Sequence, residues 1–110
     1  LGHKDLEKAK QELKAAIKET QELLDGKEIS RTMRLNELEA LKQNMDEVKR
    51  LKGISLDEAK YYLDRARERL KEVETFNVHN EDDKELVLLE IKNGKDLTNQ
   101  AKKVILKHKK

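Results

Sequence analysis

The sequence contains no cysteine, no proline and no tryptophan, and it has only one phenylalanine and two tyrosines. Without cysteine there is neither a disulfide nor a thiolate metal site, although this leaves the cellular compartment open. Without proline no helix is forced to kink, and few turns are rigid. Three aromatic residues do not furnish the apolar and aromatic lining of a deep pocket for a flat cofactor, so no cofactor is expected. The β-branched and aromatic residues that favour strands are scarce. No apolar run approaches the roughly 18 residues that would make a membrane-spanning helix. The opening Leu1-Gly2-His3-Lys4 lacks the form of a secretory signal.

The 110 residues fit a single domain, 1–110. They are 35% hydrophobic and 44% charged, a balance shared by solvated helical proteins and disordered chains. Strong helix formers (Glu, Lys, Leu, Ala, Arg and Gln) dominate, and periodicity decides for helices. The core must be built from Leu, Ile, Val, Ala and Met, each large one contributing about 1.5–3 kcal/mol when buried. That offsets chain entropy with little surplus, so an oligomer or partner would add stability. The 25 basic and 23 acidic side chains leave a net charge of +2, which is not that of a globally basic nucleic-acid binder.

Four helices follow from the spacing of apolar residues. Helix A is expected over 4–24, with Leu6, Ala9, Leu13, Ala16, Ile17, Thr20 and Leu24 on one face and a stop at Asp25-Gly26. Helix B is expected over 30–52 on a stripe of Met33, Leu38, Leu41, Met45, Val48 and Leu51, flanked by Leu35 and Ala40. Ser30 and Asn36 are candidate caps for it, and Gly53 ends it. Helix C starts at Ser55-Leu56-Asp57-Glu58, which matches the capping box, with Ile54 placed to staple onto Ala59. Its stripe of Leu56, Ala59, Leu63, Ala66, Leu70 and Val73 alternates steps of three and four, and Phe76 continues it. The short link between B and C predicts an antiparallel hairpin, the alternative being one helix through Gly53. Helix D is expected over 82–107, with Asn80 as a candidate cap and a face of Leu86, Val87, Ile91, Gly94, Leu97, Ala101, Val104 and Ile105. It is expected to run through Asn93-Gly94, which is otherwise a break or a close helix contact. The fold class is therefore all-α, an antiparallel up-down-up-down four-helix bundle; the alternative is a three-helix bundle plus a C-terminal helix.

Catalytic and metal-binding constellations are not found. His3, His79 and His108 are scattered, with no spacing that converges on a metal. Carboxylates along helix C, such as Asp64 and Glu68, have basic neighbours three or four residues away and read as a solvated face. The run Glu81-Asp82-Asp83 suits a helix N-terminus and lacks the glycine of a calcium loop. No enzymatic role is expected.

Two surfaces are candidates for a partner. One is the helix C strip of Tyr61, Tyr62, Arg65 and Arg69, because Tyr and Arg are enriched at binding hot spots. Tyr62 also reads as a flank of the core seam, with Tyr61 covering it. The other is the C-terminal end, with seven lysines and one acid between Lys92 and Lys110. There Lys102, Lys103 and Lys107, followed by Lys109 and Lys110, would meet phosphates or an anionic surface. The same lysines also suit the helix dipole, and neither Arg nor an aromatic is interleaved with them.

The segment Leu13–Val73 resembles the small three-helix modules strung along Gram-positive surface proteins. The likeness is carried by Leu38-Leu41…Val48 followed by Ile54-Ser55-Leu56-Asp57-Glu58-Ala59. It implies a spacer or adhesion module and assigns no residue a role. The first expectation is a structural or protein-interaction domain with a protein partner, a second copy of the chain included. The alternatives are binding of nucleic acid or an anionic surface by the Lys-rich end, and the spacer module.

Overall fold

The computed structural model describes residues 3–107, without the side chain of His3. It is all-α, 88% helical, and has no strand among the described residues. There are four helical segments, α1 (His3–Leu41), α2 (Met45–Lys52), α3 (Asp57–Thr75) and α4 (Glu81–Lys107). They make three antiparallel layers rather than four: α1, then α2 and α3 in line, then α4. The result is a rod of 63 × 19 × 17 Å. At about 1.5 Å per residue, α1 alone is nearly that long.

The first correction is the end of helix A. Gly26 does not stop it, and α1 continues for 39 residues. A glycine costs a helix only about 1 kcal/mol relative to alanine. Strong helix formers on both sides outweigh that, and the Gln21 side-chain amide donates to Asp25 Oδ1 across the turn. The actual reversal is Lys42-Gln43-Asn44, where Lys42 and Asn44 take φ of 54° and 51°. Asn tolerates this left-handed region, and its Oδ1 accepts from Glu47 N at 3.2 Å to cap α2.

The second correction is the expected B–C hairpin. At Gly53-Ile54 the chain pauses without reversing, and α2 and α3 run in succession down the same side of α1. Lys52 pairs with Glu39, and further along Lys60 pairs with Glu28. Arg31 of α1 donates through Nη1 to the Ile54 carbonyl in the pause, which satisfies a backbone acceptor that the interrupted helix leaves open. The expected capping box does not form: Leu56 rather than Ser55 precedes the first turn of α3, no side chain caps it, and Ser55 Oγ accepts only from Asp57 N. Glu58 instead accepts from the Tyr62 hydroxyl.

Edge contacts repeat at seven-residue steps on α1 and show the register. Along the α1–α3 edge, Lys14, Gln21 and Glu28 meet Glu74, Arg67 and Lys60, descending α3 by sevens. Along the parallel α1–α4 edge, Asp5, Glu12 and Glu19 meet Lys84, Lys95 and Lys102, steps of seven on α1 but of eleven and then seven on α4. The core lies between these edges. Leu6, Leu13, Ile17, Thr20 and Leu24 of α1 are buried, as are Ala59, Leu63, Ala66 and Val73 of α3. In α4 the buried face is Val87, Ile91, Gly94, Thr98, Ala101 and Ile105. Leu86, expected there, is exposed, and Thr98 takes a seam position instead. Buried Thr20 and Thr98 satisfy their hydroxyls on the Ala16 and Lys95 carbonyls one turn back. Asn80 caps α4 as expected, its Oδ1 accepting from Asp83 N at 2.8 Å. Phe76 lies outside the core, as do Met33, Leu41 and Met45 of the stripe expected for helix B.

α4 is continuous through Gly94, which is also a close contact. A Cβ there would stand 2.9 Å from Leu13 Cδ1, and Leu13 is fully buried and has little room to yield. A Cβ on Gly26 would meet nothing within 4 Å. Urea unfolding should therefore separate the two glycines. Gly26→Ala gains up to about 1 kcal/mol of stability through helix propensity. Gly94→Ala loses stability overall, because overpacking costs about 1–3 kcal/mol against the same gain.

Candidate interaction surfaces

Tyr61 is 55% exposed on α3, and Arg65, one turn on, lies over its ring with the guanidinium carbon 5.6 Å from the centroid. Arg65 Nη1 also donates to the Tyr61 hydroxyl at 2.9 Å. The i,i+4 spacing of the helix brings the two together, and the stacked pair forms a pre-ordered exposed platform. Tyr62 turns the other way. It is half-buried against the core, with its ring 5.7 Å from that of Tyr61 and tilted by 59°.

Arg69 is engaged within the fold. Its Nη1 donates to both oxygens of Glu90 on α4, at 2.8 and 3.1 Å, and the Glu90 carboxylate raises its pKa still further above neutrality. It ties α3 to α4, while Tyr61 and Arg65 face solvent.

The Lys-rich end divides in the same way. Lys102 is half-buried and pairs with Glu19 at 3.5 Å, whereas Lys103 and Lys107 are exposed. Lys109, Lys110 and His108 lie outside the described residues, as does the His3 side chain. His79 is exposed, and its backbone N–H donates to Asp83 Oδ2 at 2.9 Å. Among the described residues, no three His, Asp or Glu side chains gather in a way that would hold a metal ion. Nor is any helix there long and apolar enough to cross a membrane.

Two further surfaces were not singled out from the sequence. At the α3–α4 end, Phe76, Leu86 and Leu89 surround a shallow apolar hollow of about 270 Å³ with Glu72 and Glu90 at its rim. At the other end α1 outruns α4. The edge of α1 that α4 covers at Glu12 and Glu19 continues through Gly26, which shares a hollow with Ile105 and Leu106 near the end of α4, to Met33, at the same seven-residue step. Ile29 and Met33 are 59% and 66% exposed there. Beside them α1 and α2 enclose a cleft of about 230 Å³ lined by Lys27, Ser30, Arg31, Arg34, Glu47, Arg50, Leu51 and Ile54. Arg31 sits seven residues after Leu24 and seven before Leu38, on the core seam, with its Nε buried and lacking an acceptor. The sequence signal was this position, a charged residue in register with two core leucines.

No family model matches the chain, and no curated protein or solved structure is significantly similar to it.

Charge pairing across α1–α4 and within α2 sets the acid behaviour. Hydrogen bonding from Lys95 holds Glu12 below the usual carboxylate range, and Arg50 does the same for Glu47. A depressed folded pKa contributes stability that is present above the unfolded pKa and lost as pH falls through the folded one. Carboxyl NMR titration should place both midpoints below those of unpaired glutamates, and Lys95→Met should return Glu12 to the usual range while leaving Glu47 unchanged. Arg69→Ala should lower stability by about 1 kcal/mol, as expected for a partly exposed bidentate pair, in urea unfolding at neutral pH.

Proposed function

We propose that this chain is a non-enzymatic helical domain that holds a macromolecular partner, most simply another protein, through a helix face. The observation that carries this reading is the Tyr61–Arg65 platform. Of the three aromatic residues Tyr61 and Phe76 are exposed, and Tyr61 alone is covered and hydrogen-bonded by an arginine, one with no carboxylate within ion-pair distance among the described residues. An ordered aromatic–arginine pair loses little side-chain entropy on binding, which is why such pairs serve as contact anchors. Tyr62 supports the platform from the core side. Arg69 acts indirectly, by fixing α3 against α4. A structural role as a spacer draws on the 63 Å rod, which separates its two ends by more than three times its width.

Binding of nucleic acid or an anionic surface at the end of α4 would rest on Lys103 and Lys107 among the described residues, since Lys102 is paired to Glu19. That is a small cationic footprint for phosphate binding.

The test uses the full chain as bait. Tyr61→Ala and Arg65→Ala, both at exposed positions, should leave the unfolding transition within about 0.5 kcal/mol of the parent. Each should weaken capture of a protein partner by about tenfold, the hot-spot scale. If both variants retain the full set of captured proteins, this face is not the binding surface.

A further inference from the structure

We propose that the outer side of α4 near its start is a self-docking face, and that its occupant is the same face of a second copy of this chain. The two copies of α4 would pack antiparallel about a two-fold axis passing between Leu86 and Leu89. Phe76, at the edge of this face, lies about 20 Å along α3 from Tyr61, and the proposal does not depend on the Tyr61–Arg65 platform.

Spacing sets the face. α4 carries two stripes. One, from Val87 through Ile91 and Gly94 to Ile105, is buried within the bundle. The other starts at Leu86 and Leu89 and continues through Asn93 and Asp96, by steps of three and four, the seam spacing of packed helices. Its two leucines are more than half exposed, and with Phe76 of α3 they border the apolar hollow of about 270 Å³. Beyond Leu89 the stripe turns polar, so its apolar part is only one turn long. An antiparallel copy matches that length: Leu86 of each chain lies over Leu89 of the other, and a leucine of the second copy fills the hollow beside Phe76.

Charge selects the occupant and its direction. On the open flank of the stripe stand Glu85 and Lys92, seven residues apart. Both are exposed, and neither has a hydrogen-bond or ion-pair partner among the described residues. The acids on the α3 side are already engaged, Asp83 with the His79 N–H and Glu90 with Arg69. Antiparallel packing sets one flank of a helix against the same flank of its twin, in reversed order. Glu85 then meets the second copy's Lys92, and Lys92 meets the second copy's Glu85, so a single favourable contact is made twice. A parallel copy would bring Glu85 against Glu90, a like charge. A partner whose flank is uniformly acidic or basic would satisfy one of Glu85 and Lys92 and oppose the other. The net charge of +2 keeps long-range repulsion between copies small. Phe76, Leu86 and Leu89 from each copy make an interface well below the size of obligate dimers, so the association is weak, with a Kd of about 0.1 mM.

Sedimentation equilibrium of the full chain, from about 10 μM to about 1 mM, should show a monomer–dimer equilibrium. Leu89→Glu, at an exposed position, should weaken it at least about tenfold while leaving the helical circular dichroism and the urea midpoint close to the parent's. Glu85→Lys and Lys92→Glu should each weaken it about fivefold, because each sets like charges together twice. Combining Glu85→Lys with Lys92→Glu in one chain should restore the parent's affinity. So should an equimolar mixture of the two single variants, in which every flank contact again joins opposite charges. A chain that stays monomeric at the highest concentration, a dimer indifferent to Leu89→Glu, or single charge variants that neither the double variant nor the mixture rescues would overturn the proposal. A dimer lost in Tyr61→Ala and retained in Leu89→Glu would overturn it too, while supporting the Tyr61–Arg65 platform as a binding surface.

Discussion

The structure depends on one constraint: α1 must present two edges and a seam in strict seven-residue register. The seam residues Leu13, Ile17, Thr20 and Leu24 supply burial, which does not itself distinguish one vertical alignment from another. The α1–α3 edge does. Lys14, Gln21 and Glu28 accept only partners that descend α3 by sevens, and Asp5, Glu12 and Glu19 all meet lysines of α4. Each exposed pair is weak alone. On the α1–α3 edge a heptad slip in one direction sets Lys14 against Arg67, whereas the α1–α4 edge, acidic on α1 and basic on α4, holds the two helices side by side without fixing their level. A chain that is 44% charged thus uses much of its charge to define one packing.

The same register explains the Gly94 contact and the Arg31 seam position. Gly94 lets α4 sit close on Leu13, and Arg69 closes the α3–α4 side near it through Glu90. Arg31 falls where the seam calls for an apolar group, at the level where the helix opposite is interrupted. Its guanidinium reaches the Ile54 carbonyl, and the residue is half-buried at the level between Leu24 and Leu38. The interruption between α2 and α3 and the charge on the seam are therefore matched features.

Much of α3 and α4 was legible from the sequence. The buried face of α4 alternates steps of four and three, that of α3 does so with half-buried Leu70 between Ala66 and Val73, and Asn80 lies at the expected boundary. The α1–α2 region was not, for two physical reasons. Gly26 looks like a stop, yet a single glycine is a modest cost inside a long run of good helix formers. The actual stop, Lys42, takes a left-handed backbone that a lysine in a run of helix formers does not announce, and Asn44, also left-handed, then caps the start of α2. Met33, Leu41 and Met45 have helical spacing, but spacing reports the period of a helix and not whether a neighbour is long enough to cover it. On the surface, the i,i+4 pairing of Tyr61 with Arg65 was accessible from sequence. The engagement of Arg69 by Glu90 and of Lys102 by Glu19 was not, since each joins residues far apart in the chain.

Because α1 outlasts α4, the rod is not one cooperative body of uniform strength. Its three-layered part shares a seam of buried side chains from three helices, whereas the arm from Gly26 to Ile54 is held mainly by Leu38, Val48, Leu51 and Ile54. Opening the arm exposes far less apolar surface than opening the whole, so it behaves as a separate foldon. Amides of such an arm are expected to exchange with solvent through partial opening, and those of α3 and α4 through global unfolding. A ligand that stabilised the arm would change the exchange of that quarter of the molecule first, and the melting of the whole only slightly.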